Sequence, residues 1–375
     1  METTAELKDV LLVGFGAVGA IYSLILKRSG KARVTVVARS NYSTIEREGM
    51  HIKSGKYGDI PSWRPDRLCK SISDALDRQY SYVVVCSKYV PEVSPTPEIL
   101  KPLLLPPYTE TYPQPTYVLL QNGLNVEKDL YSALKTVTKD TEKPRILSSA
   151  VWIGTNLIAE NVVQHNDFDR LAVGVYRPGD TTTTANTLAE QSLLDDFGSL
   201  ISAGGGVVSA VPEIQRVKFH KNFWNLLFCS YTTLTRSPVT AIFRRQNVEG
   251  TIPAPYVADV TADLVEKHVV PNLYAVLKEA LAVGRAMGWD EEALPASLVE
   301  STIANTKRLH MMPDNKHKAS MLLDIEQGKP LEVEAIVGEV VRMAQEKGVD
   351  VPRIETLYAL LLIVQNQILR VRRER

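Results

Sequence analysis

Three short stretches in the second half of the chain carry polar side chains at spacings suited to acid–base or ligand chemistry. In Phe219-His220-Lys221-Asn222-Phe223-Trp224-Asn225, Lys221 and Asn225 stand four apart, so on a helix they share a face that is otherwise strongly apolar. A lysine and an amide on such a face need partners or serve a ligand. A partly desolvated lysine could give its proton to a carbonyl oxygen as hydride reaches the carbon. Equally, Lys221 could snorkel to solvent while Asn225 satisfies backbone. Ser320 and Asp324 repeat the spacing in Lys318-Ala319-Ser320-Met321-Leu322-Leu323-Asp324. In Gly328-Lys329-Pro330-Leu331-Glu332-Val333-Glu334-Ala335-Ile336, two carboxylates open a new helix. They either complement its dipole or one of them turns to a ligand hydroxyl. His220, His310 and His317 lack paired ligand spacing and read as surface or packing residues. No Ser-His-Asp arrangement or P-loop is visible.

A hydride donor would have to be held by the first half of the chain, which opens on Asp9-Val10-Leu11-Leu12-Val13-Gly14-Phe15-Gly16-Ala17-Val18-Gly19. An apolar run too short for a helix flows into G-x-G-x-x-G and then into helix-compatible residues 20–27, the pattern of a dinucleotide-binding turn. Gly14 permits the tight turn, Gly16 lets backbone approach a pyrophosphate, and Gly19 lets helix pack on strand. Amides and dipole at the helix start favour the phosphates. The next strand, residues 33–38, ends at Arg39, about twenty residues beyond the last glycine. A carboxylate there would accept from an adenine ribose. An arginine followed by Ser40 and Asn41 suits a 2′-phosphate, hence NADPH/NADP+.

Further apolar strands end at Lys88 (residues 81–87) and at Asn122-Gly123 (residues 116–121), with helical stretches between. Continuous apolar strands alternating with helices predict a mainly parallel sheet covered on both faces, with ligands beyond the carboxyl ends. Gly14, Arg39, Lys88 and Asn122 all fall there. Residues 71–77 read as helix, 91–115 as helix plus irregular loop, and 146–153, 161–165 and 170–174 as meandering strands. Thr181 to Thr187 reads as a disordered loop. From Glu213 onward strand-like runs give way to helical periodicity, so the expected domains are 1–212, cofactor-binding, and 213–375, helical and substrate-binding.

With 375 residues the chain can build two cores, and 45% apolar and 23% charged residues are ordinary for a globular protein. Equal numbers of basic and acidic residues give no field to attract nucleic acid or an anionic membrane. Three cysteines, Cys69, Cys86 and Cys229, show neither metal spacing nor a disulfide framework, which suits a reducing compartment. The N-terminus is polar without a signal peptide, and no run of 18 apolar residues is present, so a cytoplasmic protein without a membrane span is expected.

Taken together, these pieces resemble the ketopantoate reductase (2-dehydropantoate 2-reductase) family over nearly the whole chain. The matching motifs are Gly14-Phe15-Gly16-Ala17-Val18-Gly19, Val37-Ala38-Arg39-Ser40, the strand ending at Lys88, Gln121-Asn122-Gly123, Lys221-Asn222-Phe223-Trp224-Asn225, Ser320 to Glu326 and Gly328 to Glu332. Ser320 lies twelve residues before Glu332, a specific spacing. The resemblance implies an α/β Rossmann-type domain followed by an all-α domain of the 6-phosphogluconate-dehydrogenase-like type, with substrate in the cleft. It implies NADPH-dependent reduction of a small-molecule 2-oxo acid to a D-2-hydroxy acid, ketopantoate to D-pantoate foremost, and makes a homodimer plausible. Carried over by position, Lys221 is the general acid and Glu332 acts beside it. Asn122 touches nicotinamide and substrate, and Lys88 lies near the cofactor. Asn225 binds the substrate's polar groups and Ser320 its carboxylate, with Asp324 on the same face.

The chain departs from the family where a second asparagine often stands one turn after the first. Here that position is Cys229, and the asparagine is associated with the ketopantoate hydroxyl. The departure admits a branched-chain 2-oxo acid such as 2-ketoisovalerate, or a secondary-metabolite carbonyl or imine. A non-catalytic NADP-binding sensor is the rival class. Extra residues at 91–115, 181–187 and Arg244 to Pro255 add to the departures, the last of them expected to border the cleft and affect specificity.

Overall fold

The computed structural model describes residues 7–138, 143–245 and 255–374. The bulk of the insertion expected at Arg244 to Pro255 lies outside the described residues. The chain divides into two compact units. One holds residues up to Tyr89, Ser94–Asn122 and Val126–Val217, and the other holds Val90–Val93, Gly123–Asn125 and the residues from Lys218 on. The division falls after Val217, inside a helix, rather than at residue 212. The first turn of that helix belongs to the sheet unit because Ile214 packs on Ala150 and Ala172 of the strands.

In the first unit, β1 (Lys8–Val13), α1 (Ala17–Arg28) and β2 (Ala32–Val37) form the opening β-α-β. After α2 (Tyr42–Glu48) come β3 (Met50–Ser54), β4 (Gly58–Trp63), β5 (Arg67–Cys69) and β6 (Tyr82–Val85). Helix α3 (Thr96–Leu104) and the single turn α4 (Tyr108–Thr111) precede β7 (Thr116–Leu119) and α5 (Lys128–Val137). The long strands β8 (Ile146–Ala159) and β9 (Val162–Val175), then α6 (Leu188–Ala203) and β10 (Val207–Ala210), complete the unit. The ten strands of the described residues form one sheet in the order β4-β3-β9-β8-β7-β6-β1-β2-β5, with β10 also paired to β9. From β5 to β8 every pairing is parallel. Fully buried valines and leucines on these strands explain why they read as continuous apolar runs.

Three sequence expectations change. Residues 71–77 hold only a 3₁₀ turn at Ser73–Ala75, because the Asp74 carboxylate caps Ser71 and Arg67 takes the Asp74 carbonyl. The three strands expected between 146 and 174 are one antiparallel hairpin, β8 with β9, whose register shifts between Ile153 and Thr155 and again before Ala159. Thr181 to Thr187 is an ordered loop. Asp180 accepts from the Thr182 and Thr183 amides, Arg177 forks onto Glu190 and Asn186, and Thr187 with Glu190 forms a capping box for α6.

The second unit is helical: α7 (Ile214–Trp224) runs through a π turn, Asn225–Cys229, into α8 (Ser230–Thr235). Glu213 starts α7 by accepting from the Gln215 and Arg216 amides. The short α9 (Thr240–Phe243) and α10 (Ala262–Leu264) precede a second π turn, Val265–Val269, and α11 (Val270–Ala286). Then come α12 (Ser297–His310) and α13 (Ser320–Glu326), followed by a third π turn, Glu334–Gly338, which leads into α14 (Glu339–Lys347), and α15 (Pro352–Arg373) closes the chain. One apolar core built around Phe219, Phe223, Leu277, Leu322 and Ile336 holds them together. By length and composition α15 could cross a membrane, with mean hydropathy 1.2, although no such run was expected. Ile354, Leu357, Leu361, Val364 and Ile368 set one stripe of it against the helical core.

At the junction of β3, β9 and β10, Asp169 is buried at 2% exposure and accepts from Lys56 Nζ at 2.8 Å, Tyr57 Oη at 2.7 Å and the Val207 amide at 3.1 Å. Burial pushes its pKa up, but these donors outweigh that and hold it below the ordinary carboxylate value. Asp169→Ala should therefore cost about 3 kcal/mol of unfolding free energy at neutral pH. The difference from wild type should persist above the ordinary carboxylate range and close as pH falls through the lowered native value. Denaturant unfolding of both proteins across that range checks it.

Candidate active site

Strands β2, β1, β6 and β7 end in register, with Val37 opposite Val13, Val13 opposite Val85, and Val85 opposite Leu119. Gly14, Arg39, Lys88 and Asn122 accordingly follow one common edge of the sheet. Gly14 has φ +102°, and a Cβ on it would stand 2.6 Å from the Ser87 amide nitrogen. On Gly19 a Cβ would lie 2.0 Å from the Gly14 carbonyl oxygen. Both positions thus exclude any side chain, whereas a Cβ on Gly16 would meet nothing within 4 Å. Gly16 lacks a steric partner among the described residues. It is the N-cap of α1 and offers no side-chain cap, and the first turn, with Ala17, Val18 and Gly19, holds no acid. Asn41 Nδ2 donates to the Phe15 carbonyl at 2.9 Å and to the Glu160 carbonyl at 3.2 Å, locking the glycine loop to the segment after β2. Arg39 is exposed. Together, an open glycine cradle and an uncapped helix start fit a dinucleotide's pyrophosphate.

In the helical unit, five of the expected residues and Cys229 act on one another. Lys221 lies in the last turn of α7, and Asn225 begins the π turn after it. Burial pushes the Lys221 ammonium down to about 8, with Glu332 pulling it up, Lys218 down and Cys229 up. Glu332, 4% exposed, stands just before the helix that contains the third π turn. Cys229 is fully buried. Its Sγ lies 3.9 Å from Asn225 Oδ1, and it takes hydrogen bonds from the Met321 amide and the Ser320 hydroxyl. Burial raises the thiol to about 11, and the charges of Glu332 and Asp324 add to the rise. Ser320 opens α13 and is exposed, while Asp324 on the same helix is 5% exposed.

Between the two carboxylates the sequence left open, the geometry discriminates. Glu334 accepts from Tyr358 Oη at 2.7 Å and from Arg342 Nη1 at 2.8 Å, whereas Glu332 is the one that acts on Lys221. Lys218, 4% exposed, was not singled out, although its spacing of three from Lys221 places it on nearly the same face. Asn222 was also missed, since an amide between Lys221 and Phe223 gives no signal of its own. His310 and His317 pair with each other, His310 Nδ1 meeting the Thr306 carbonyl at 2.9 Å, and His220 is exposed.

Two family models match the chain, "Ketopantoate reductase PanE/ApbA" over residues 10–178 and its C-terminal counterpart over residues 250–365. The chain belongs to the ketopantoate reductase family. An uncharacterized protein of Saccharomyces cerevisiae is 27% identical over 366 residues, 95% of this chain and 93% of its own. The crystal structure of 2-dehydropantoate 2-reductase from Methylococcus capsulatus superposes with TM-score 0.70 at 25% identity, covering 96% of this chain and 97% of that one. A ternary structure of D-mandelate dehydrogenase with NADH and anilino(oxo)acetate gives TM-score 0.69 at 15% identity, covering 96% and 99%, and shares the fold. Membership of the ketopantoate reductase family makes this chain an oxidoreductase of the C=O/CH–OH class, a 2-oxo acid reductase.

Because Glu332 pulls the Lys221 value up, Glu332→Gln should move it below about 8. Acetylation of Lys221 at graded pH, quantified by peptide mass spectrometry, gives the midpoint for each protein. An unchanged or higher midpoint in the variant would refute the coupling.

Proposed function

We propose that this ketopantoate reductase family member reduces a 2-oxo acid to the D-2-hydroxy acid with NADPH, 2-dehydropantoate to D-pantoate being the foremost reaction. Its main support is Lys221, an ammonium brought near neutrality by burial and held beside Glu332. NADPH, when bound, supplies hydride to the 2-oxo carbon. Lys221 carries the proton destined for the 2-oxo oxygen, and a value near 8 keeps it protonated at neutral pH yet ready to release. Glu332 favours the charged form and so keeps the acid loaded. Ser320 and Asn225 offer a hydroxyl and an amide to the carboxylate and polar groups of the substrate. The glycine loop Gly14 to Gly19 holds the pyrophosphate, Arg39 the 2′-phosphate, and Lys88 and Asn122 the nicotinamide side.

Cys229 favours a second substrate reading. A thiol is a weak hydrogen-bond partner, and it stands where the resembled family often has an asparagine. A substrate without the ketopantoate hydroxyl, such as 2-ketoisovalerate, would lose little at this position.

NADPH oxidation followed with ketopantoate and 2-ketoisovalerate side by side tests both readings. Lys221→Ala should lower kcat on the order of a hundredfold or more. In the wild type kcat should fall as pH rises through about 8, because the acid is then deprotonated. Wild-type turnover by the alanine variant would exclude Lys221 as the acid. Arg39→Ala should raise KM for NADPH by about tenfold or more while leaving that for NADH nearly unchanged. Equal loss with both would refute the 2′-phosphate assignment.

A further inference from the structure

The third π turn makes an unusual set of bonds. In it the Glu339 amide reaches back five residues to the Glu334 carbonyl, so the ladder of the helix is interrupted there. Two of the carbonyls in this turn take donors from outside the helix. Ala335 O accepts from the Leu124 amide at 2.8 Å, and Ile336 O accepts from Asn222 Nδ2 at 2.8 Å. Leu124 belongs to the segment Gly123–Asn125, directly after Asn122, and Asn125 Nδ2 adds a bond to Glu339 Oε2 at 2.7 Å. Approach at this point is tight, since a Cβ on Gly123 would stand 2.3 Å from Ala335 Cβ. Asn222 is the residue after Lys221, and the π turn begins two residues after Glu332.

We propose that Asn222 is a positioning residue that clamps the Lys221 turn of α7 to the π turn following Glu332, fixing the lysine relative to the carboxylate. This rests on the assignment of Lys221 as the general acid. Asn222 is 3% exposed, on a helix whose Phe219 and Phe223 belong to the apolar core, where an apolar side chain of similar size would leave no polar atom to satisfy. Its Oδ1 takes no donor from the described residues, so the amide's one protein bond is the clamp itself. An amide retained at such a position is explained by what its donor holds rather than by packing. The bond also accounts for the register of the two segments: α7 and the helix after Glu332 are joined through a carbonyl in the turn where that helix's own ladder is interrupted. An offset of about an ångström between acid and substrate oxygen is enough to cost a large factor in turnover.

The test compares wild type, Asn222→Leu, Asn222→Ala, Asn222→Gln and Lys221→Ala, by steady-state kinetics with NADPH and a 2-oxo acid and by pH-graded acetylation of Lys221. The leucine and alanine variants should lower kcat about tenfold or more, leave KM for NADPH within twofold, and displace the Lys221 midpoint. Asn222→Gln, which keeps an amide donor, should recover part of the loss. If leucine does not fold there, alanine and glutamine carry the comparison, with melting temperature recorded for each. Variants that melt lower yet keep the wild-type kcat and midpoint would overturn the clamp and leave a packing role. The labelling arm needs no turnover, so it decides the clamp even if no 2-oxo acid is reduced. Wild-type activity undiminished in Lys221→Ala would instead refute the assignment of the acid.

Discussion

A partly buried ammonium, that of Lys221, is the constraint that the helical unit is arranged to meet. Desolvating a lysine disfavours its charged form by several kcal/mol if nothing compensates. Here the compensation comes from Glu332, more than a hundred residues away in sequence, while Lys218 opposes it from one turn earlier. Burial and Lys218 push one way and Glu332 the other, and the outcome lies near the pH at which proton transfer is most useful. Such a balance requires fixed distances. Both segments are anchored in one close-packed apolar core, through Phe219 and Phe223 beside Lys221 and through Leu331 and Val333 on either side of Glu332.

The sheet unit solves a different problem with the same economy. Its glycine loop is shaped by two positions that cannot hold a side chain and one that could but does not. Gly14 and Gly19 press on Ser87 and on each other, which sets the loop's path. A Cβ on Gly16 would meet nothing within 4 Å, so no neighbour among the described residues requires a glycine there. Helix α1 then starts with neither a side-chain cap nor an acid in its first turn, leaving its amides and dipole for an anion. The register shared by β2, β1, β6 and β7 carries the ends of four strands to one edge, where Arg39, Lys88 and Asn122 follow.

Much of this was legible in the sequence because local physics decided it. Buried parallel strands must be apolar throughout, and the glycine pattern follows directly from close approach. What could not be read depended on partners distant in the chain. Glu332 and Glu334 are equivalent by spacing, and only Arg342 and Tyr358, by taking Glu334, tell them apart. The β8–β9 hairpin was divided into three pieces because its polar far end, with Gly154 and Asn166 to Asp169, imitates turns while its bulged register absorbs the irregularity. Helix α5 passed unnoticed although Leu130 and Leu134 form its buried stripe, since only two residues mark it. The π turns leave no trace at all. The donors that take carbonyls of the third turn, Leu124 and Asn222, lie more than a hundred residues away in sequence.

Substrate choice turns on how much a single donor or acceptor can discriminate. A site that hydrogen-bonds a substrate hydroxyl rejects an analogue lacking it strongly, because its own polar group is left unpaired. Under the proposed substrate assignment, Cys229 would reverse that asymmetry. Its thiol is already engaged by Ser320, the Met321 amide and Asn225, and its raised pKa keeps it neutral. No buried group is orphaned when the substrate lacks a hydroxyl, and little is gained when it has one. On that reading, selectivity between such substrates would come from shape, and an apolar contact is worth only about 1–3 kcal/mol per methylene. An enzyme built this way would lose little when the substrate lacks that hydroxyl, and the lysine–carboxylate pair would serve either substrate alike.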